Sequence, residues 1–227
     1  MIYRMGVDYQ NLGVGTSFSV ERPKPFKMDS MLGPNEFMDY FEEITPEDCT
    51  HCKLYKAPLL AEWRMRVPLQ VTIVDGDMPD MLVLMGHIYV SEQAKAIIEQ
   101  HDPFGHQFWP VEVRDTKGTY ITDKRFFHMN MRRYVTIENL NKPPMDTDFT
   151  MTSHSDATYL PTIQHDVDVR ANIETLPLWQ HFSPPSTIGS ALYINETMYK
   201  ALQAGGITGI KEFTQFRGKQ GEMVSHV

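Results

Sequence analysis

Cationic residues are the minority: 21 Lys and Arg face 29 Asp and Glu, leaving a formal net charge of -8 over 227 residues. Such a chain has no broad basic face to neutralise a phosphate backbone, so general nucleic-acid binding is not expected, and a partner that is itself basic fits better. Cysteine is scarcer still. Cys49 and Cys52 are the only two, too few for a disulfide framework, so the fold must rest on a hydrophobic core. A chain of this length buries roughly 70% of its unfolded surface, which is enough. No window approaches the ~20 apolar residues of a membrane span. The opening MIYRMGVDYQ has no apolar signal-peptide region, so a cytoplasmic location is expected. Also missing are a G-x-S-x-G nucleophile elbow, a Walker loop and a dinucleotide fingerprint. No cofactor is expected.

What is present is organised around Leu84 to Asn130. Ile88, Tyr89 and Val90 form a β-prone run ending at Ser91, a capping residue followed by Glu92, where an acid suits the helix dipole. Ala94, Ile97 and Ile98 give the next stretch one apolar face, and His101-Asp102-Pro103 stops the helix. Phe104-Gly105 begins a turn and Phe108-Trp109-Pro110 reads as a bulky elbow. Val111 and Val113, the turn Asp115 to Gly118, then Tyr120 and Ile121 predict a hairpin. Phe127, Met129 and Met131 alternate with polar residues as a further strand. The fold class is α+β, a mixed or antiparallel sheet with a few short helices.

Elsewhere Tyr3, Met5 and Val7 predict a short strand at a sheet edge, Asn35 to Ile44 a short helix, and Thr45-Pro46-Glu47-Asp48 a turn. Trp63 to Val67 and Leu69 to Ile73 alternate as a strand pair ahead of an Asp75-Gly76-Asp77 turn. Asn141 to Val169 reads as a long polar loop. Residues 192–196, Leu-Tyr-Ile-Asn-Glu, match residues 88–92 at a spacing of 104, with Met198, Ala201 and Leu202 in the places of Ala94, Ile97 and Ile98 and a Gly205-Gly206 stop. The match reads either as two related strand-helix units or as two ordinary strand-to-helix junctions that look alike. The domain reading is one unit over 1–227, with an N-terminal part to residue 83, a motif-bearing core at 84–140 and 176–213, and the polar loop at 141–170.

Candidate chemistry competes with plainer readings. Cys49-Thr50-His51-Cys52 has the spacing of a zinc half-site or a redox pair. A closed metal site would need distant ligands such as His87, His101 or His106, and two ordinary cysteines beside a turn is the simpler reading. His101, Asp102 and His106 bracket a turn as an acid-base group would, but a helix C-cap for His101 and a hydrogen-bonded turn for His106 are the simpler reading. Phe108, Trp109, Phe126 and Phe127 read as core rather than a ligand cage. Asp146, Asp148, Asp156, Asp166 and Asp168, interleaved with Met145, Phe149, Met151 and Tyr159, form either a solvated loop or a protein-binding surface in which acids steer a basic partner.

Two segments carry a resemblance. Tyr89-Val90-Ser91-Glu92 through Ile98, then His106 to Val113 and Gly118, together with Leu178-Trp179 and Gly206-Ile207-Thr208-Gly209, resemble a bacterial immunity-protein domain encoded beside polymorphic and type VI secreted toxins. The match covers Leu84 to Arg132 and Leu176 to Phe213, departs at Ile194-Asn195 where Val-Ser is expected, and does not include Cys49 or Cys52. The resemblance implies a cytoplasmic protein without a reaction of its own that binds and neutralises a cognate toxin. If the polar loop is the binding surface of such a protein, the candidate toxin-binding residues are Asp146, Asp148, Phe149, Asp156, Tyr159, Asp166 and Asp168. The alternative is a small metal-binding or redox enzyme built on Cys49 and Cys52.

Overall fold

The computed structural model describes residues 2–6, 41–59, 70–73, 77–84, 87–137, 166–183, 187–212 and 225–226. Among them are two mixed sheets and three short helices, the α+β class expected. The five-stranded sheet runs in the order β4 (Gln70–Ile73), β7 (Gln107–Asp115), β8 (Phe126–Asn130), β6 (His87–Ser91), β5 (Met81–Leu84). The eight-stranded sheet runs β13 (Ser225–His226), β12 (Ile210–Glu212), β1 (Ile2–Gly6), β11 (Thr187–Asn195), β10 (Leu178–Ser183), β9 (Arg133–Ile137), β3 (Cys52–Lys56), β2 (Glu42–Glu43).

Helix α1 (Glu92–His101) starts where its capping residue places it. The Ser91 Oγ accepts the Ala94 amide at 3.2 Å, and the helix buries Ala94 and Ile98. Helix α3 (Glu196–Ala204) repeats the device, with Asn195 Oδ1 accepting the Met198 amide at 2.9 Å, and buries Met198, Tyr199 and Leu202. Its end is a Schellman turn: Ile207 N reaches Leu202 O, Gly206 N reaches Gln203 O, and Gly206 takes the left-handed conformation with φ 66. Gly205 stays right-handed and lies against Ile97 of α1. The Gln93 amide closes the contact between the two helices by donating to Gly205 O at 2.7 Å.

The 104-residue spacing is a structural repeat. Met81 pairs with Val90 as Leu178 pairs with Ile194, and Leu82 with Tyr89 as Trp179 with Tyr193. The following residue is tied alike in both copies, Ser91 N to Asp80 O and Asn195 N to Pro177 O. The third strand of each unit also corresponds in register: Ser91 faces Phe126 as Asn195 faces Ile2, and Asn130 faces Gln107 as Gly6 faces Lys211. Strand β8 of the first unit therefore corresponds to β1 of the second, at the other end of the chain. The second unit is a permuted copy, which is why β1 lies between β11 and β12 and not at the edge its length predicts.

Three further expectations change. Glu42–Glu43 is a strand where the 35–44 helix was expected, because its backbone pairs with Lys56 and Tyr55. The Phe108-Trp109-Pro110 elbow is continuous strand inside β7, held by β8 on one side. The polar loop ends three residues early, since helix α2 (Val167–Ile173) begins inside it, capped by Asp166 and burying Val169 and Ile173. The Trp63–Val67 strand and the Asp75-Gly76-Asp77 turn lie wholly or mostly outside the described residues.

One hydrophobic cluster draws residues from both units, among them Met5, Ile88, Tyr89, Ala94, Phe126, Met129, Leu192, Ile194 and Leu202. A second forms where α2 lays Val169 and Ile173 on Cys52, Leu54, Val135, Trp179 and Tyr193.

Candidate functional site

Of the histidines that the sequence offers for chemistry, His106 is buried with Asp102, each side chain 1% exposed. The Arg132 amide donates to His106 Nδ1 at 3.1 Å, so the proton sits on Nε2, which donates to Asp102 Oδ2 at 3.2 Å. Arg133 grips both carboxylate oxygens of Asp102 and also donates to Leu178 O at 2.9 Å, while Arg132 donates to Ala57 O and Gly105 O. Burial alone would raise the Asp102 carboxyl. The hydrogen bonds from His106 and Arg133, with the Arg133 charge, outweigh it and hold the group below its ordinary value. Burial pushes His106 down, in the same sense as the Arg132 amide, whose hydrogen bond needs an unprotonated Nδ1. The group fastens the turn after α1 to β9 and β10, and His106 is the hydrogen-bonded turn residue of the plainer reading. Nothing local in the sequence marks Arg132 and Arg133 as its cationic half, because their partners come from 27 to 75 positions away.

The Gly206-Ile207-Thr208-Gly209 turn fastens the other junction. Thr208 donates from N and Oγ1 to Asp80 Oδ2, and Oγ1 accepts the Asp80 amide. Met81 N bonds Thr208 O at 3.0 Å, and Gly209, with φ 83, passes so close that a Cβ there would lie 2.2 Å from Met81 O. Asp80 is held below the ordinary carboxylate range, since burial is outweighed by Thr208, Ser91 and Lys124. The aromatics are scaffold as well: Phe126 is buried, and Lys95 of α1 lies over the Phe108 and Phe127 rings. His87 Nδ1 and His128 Nε2 meet at 3.2 Å beside Tyr89, and burial, aided by the His87 charge, brings His128 down to about 3.

The acidic residues and the Cys motif, separate in the sequence, meet in space. Asp166 Oδ1 accepts the Asp168 and Val169 amides to cap α2, and its Oδ2 lies 2.9 Å from His51 Nδ1. The His51 hydrogen bond, then the Val169 amide, lower the Asp166 carboxyl. With the exposed Asp168, these are the one group of three His, Cys, Asp or Glu side chains among the described residues whose ligand atoms lie within 4.8 Å of one another. His87, His101 and His106 do not join it. Cys49 and Cys52 are bonded to each other, so in this state neither sulfur is a thiolate ligand, which counts against the alternative of a zinc half-site. Asp146, Asp148, Phe149, Asp156 and Tyr159 lie outside the described residues.

Among known families, the model described as Immunity protein family (Imm11) matches residues 24–216. The chain belongs to this immunity protein family. The match extends the resemblance into the N-terminal part, including Cys49 and Cys52, and across the polar loop. No curated protein matches the chain. The residues of this immunity protein that carry the resemblance have physical roles: Ser91 caps α1, His106 anchors its exit turn, Trp179 fills the second core, and Thr208 with Gly209 locks the permuted unit to the first.

Proposed function

We propose that this immunity protein binds a cognate antibacterial toxin, of the polymorphic kind delivered by type VI secretion, in the cytoplasm, and neutralises it by blocking its active site or substrate access. The family match over residues 24–216 carries the reading. Ser91, His106, Trp179, Thr208 and Gly209 serve the scaffold, which leaves partner recognition to the remaining surface. The contact residues are Asp146, Asp148, Phe149, Asp156, Tyr159, Asp166 and Asp168, acids that steer a basic toxin face and aromatics that bury against it. The net charge of -8 supports a basic partner.

Co-expression with the toxin encoded beside it tests the proposal: the expected result is protected cells and a co-purifying complex, and neither protection nor a complex would overturn it. Changing Asp146, Asp148, Asp156 and Asp168 together to Asn, leaving the cap Asp166 intact, is expected to slow association on the order of tenfold at low salt. An unchanged association rate measured by stopped flow would move the contact surface elsewhere.

A further inference from the structure

The Cys49–Cys52 disulfide closes a four-residue loop that both ends of the polar segment touch. Ile137, the last residue of β9, stands directly opposite Cys52 in the β3–β9 ladder. Asp166, the cap of α2, is hydrogen-bonded to His51 inside the loop. The chain thus leaves β9 and enters α2 at the same place. Cys52 is buried against α2 in the second core, whereas Cys49 is only half-buried and Thr50 is exposed.

We propose that Cys49–Cys52 is a thiol–disulfide exchange site whose oxidised form docks α2 and whose reduced form releases it. The reactant is a dithiol, either a small molecule or a dithiol protein. One of its thiolates attacks the sulfur of Cys49, the less buried of the two residues; the S–S bond breaks, and its electron pair goes to Cys52 Sγ, which takes a proton. The second thiol then attacks the mixed disulfide, leaving as a reagent disulfide and returning Cys49 as a thiol. Two electrons and two protons pass to the protein. Two thiols cannot remain at bonding distance, so the loop relaxes, and it carries His51 away from Asp166 at the same time as Cys52 shifts beneath Val169 and Ile173. Among the described residues, the start of α2 is held to the sheet by the His51–Asp166 hydrogen bond of this loop and by the core it borders. For toxin binding the consequence rests on the proposed function, because Asp166 and Asp168 lie on the released element.

The test is hydrogen–deuterium exchange on the full chain, oxidised with glutathione disulfide or reduced with dithiothreitol, with thiols counted in each state. Reduction is expected to raise exchange across Asp168–Ile173 on the order of tenfold while α1 is unchanged. C49S/C52S should show the raised exchange and no response to dithiothreitol, and H51A should raise it with the disulfide intact. Equal exchange in the two thiol-verified states would overturn the proposal, as would a pair that stays reduced under oxidant, or loosening of α1 to the same extent, which marks a general staple. Toxin affinity measured in the same two states separates the layers. A response of α2 without a change in affinity supports the exchange site and overturns the placing of toxin contacts on Asp166 and Asp168.

Discussion

Asp102 and Arg133 show at the scale of single residues why ionisable groups can be buried here. The carboxylate receives two Arg133 nitrogens, the His106 ring and the Phe104 amide, leaving few lone pairs unused. Removing one partner strands the other charge, so D102A is expected to cost about 3–5 kcal/mol in urea unfolding. Replacing the pair together, as in D102L/R133M, should recover a large part of that loss. Acid acts on the same interior. The folded pKa of His128, about 3, lies below the ordinary 6.5, so the neutral ring contributes stability that is full above 6.5 and is lost as pH falls from 6.5 toward 3. His106 shifts in the same direction, and Asp102, also lowered, adds a loss below its ordinary value of 3.8. Denaturant midpoints should fall steadily from pH 6.5 downward, and H128Q should flatten the upper part of that slope.

At the scale of elements, the two strand-helix units permit matched substitutions. S91A and N195A each remove the side-chain acceptor for one helix-start amide, and each is expected to cost about 1 kcal/mol by thermal or chemical unfolding. Two glycines separate backbone strain from crowding. Gly118 and Gly209 share φ 83, but a Cβ at Gly118 meets nothing within 4 Å, while at Gly209 it meets Met81 O and Pro79. G118A should therefore cost only the left-handed strain, about 1 kcal/mol. G209A should cost clearly more, because the junction between units must open. The caps and both helices were legible in the sequence, since a capping residue and an apolar stripe are local signals. Strand Glu42–Glu43 was not, because its ladder partners in β3, and not its own residues, make it a strand.

Across the whole molecule, the permutation decides what the chain tolerates. Strand β1 is the first described segment, yet it completes the second unit between β11 and β12. Deleting residues 1–6 is expected to uncover both of those edges and yield aggregating protein in size-exclusion chromatography, although the first unit would keep its strands. The candidate site divides in the same way. Asp166 and Asp168 were legible as acids in a polar stretch, and Cys49 to Cys52 as a spaced pair. Their meeting was not, because His51 and Asp166 are 115 positions apart and no periodicity reports a contact of that range. By itself, the sequence determined the α+β class, the caps of α1 and α3, the matching strand-helix pattern and the resemblance to the family, because each rests on neighbours within a few residues or on a repeat that can be aligned. Only the tertiary structure decided which strand completes which unit, that His106 serves a buried ion pair, and that the cysteine loop holds the start of α2, because those outcomes depend on groups brought together by the packing of the sheets.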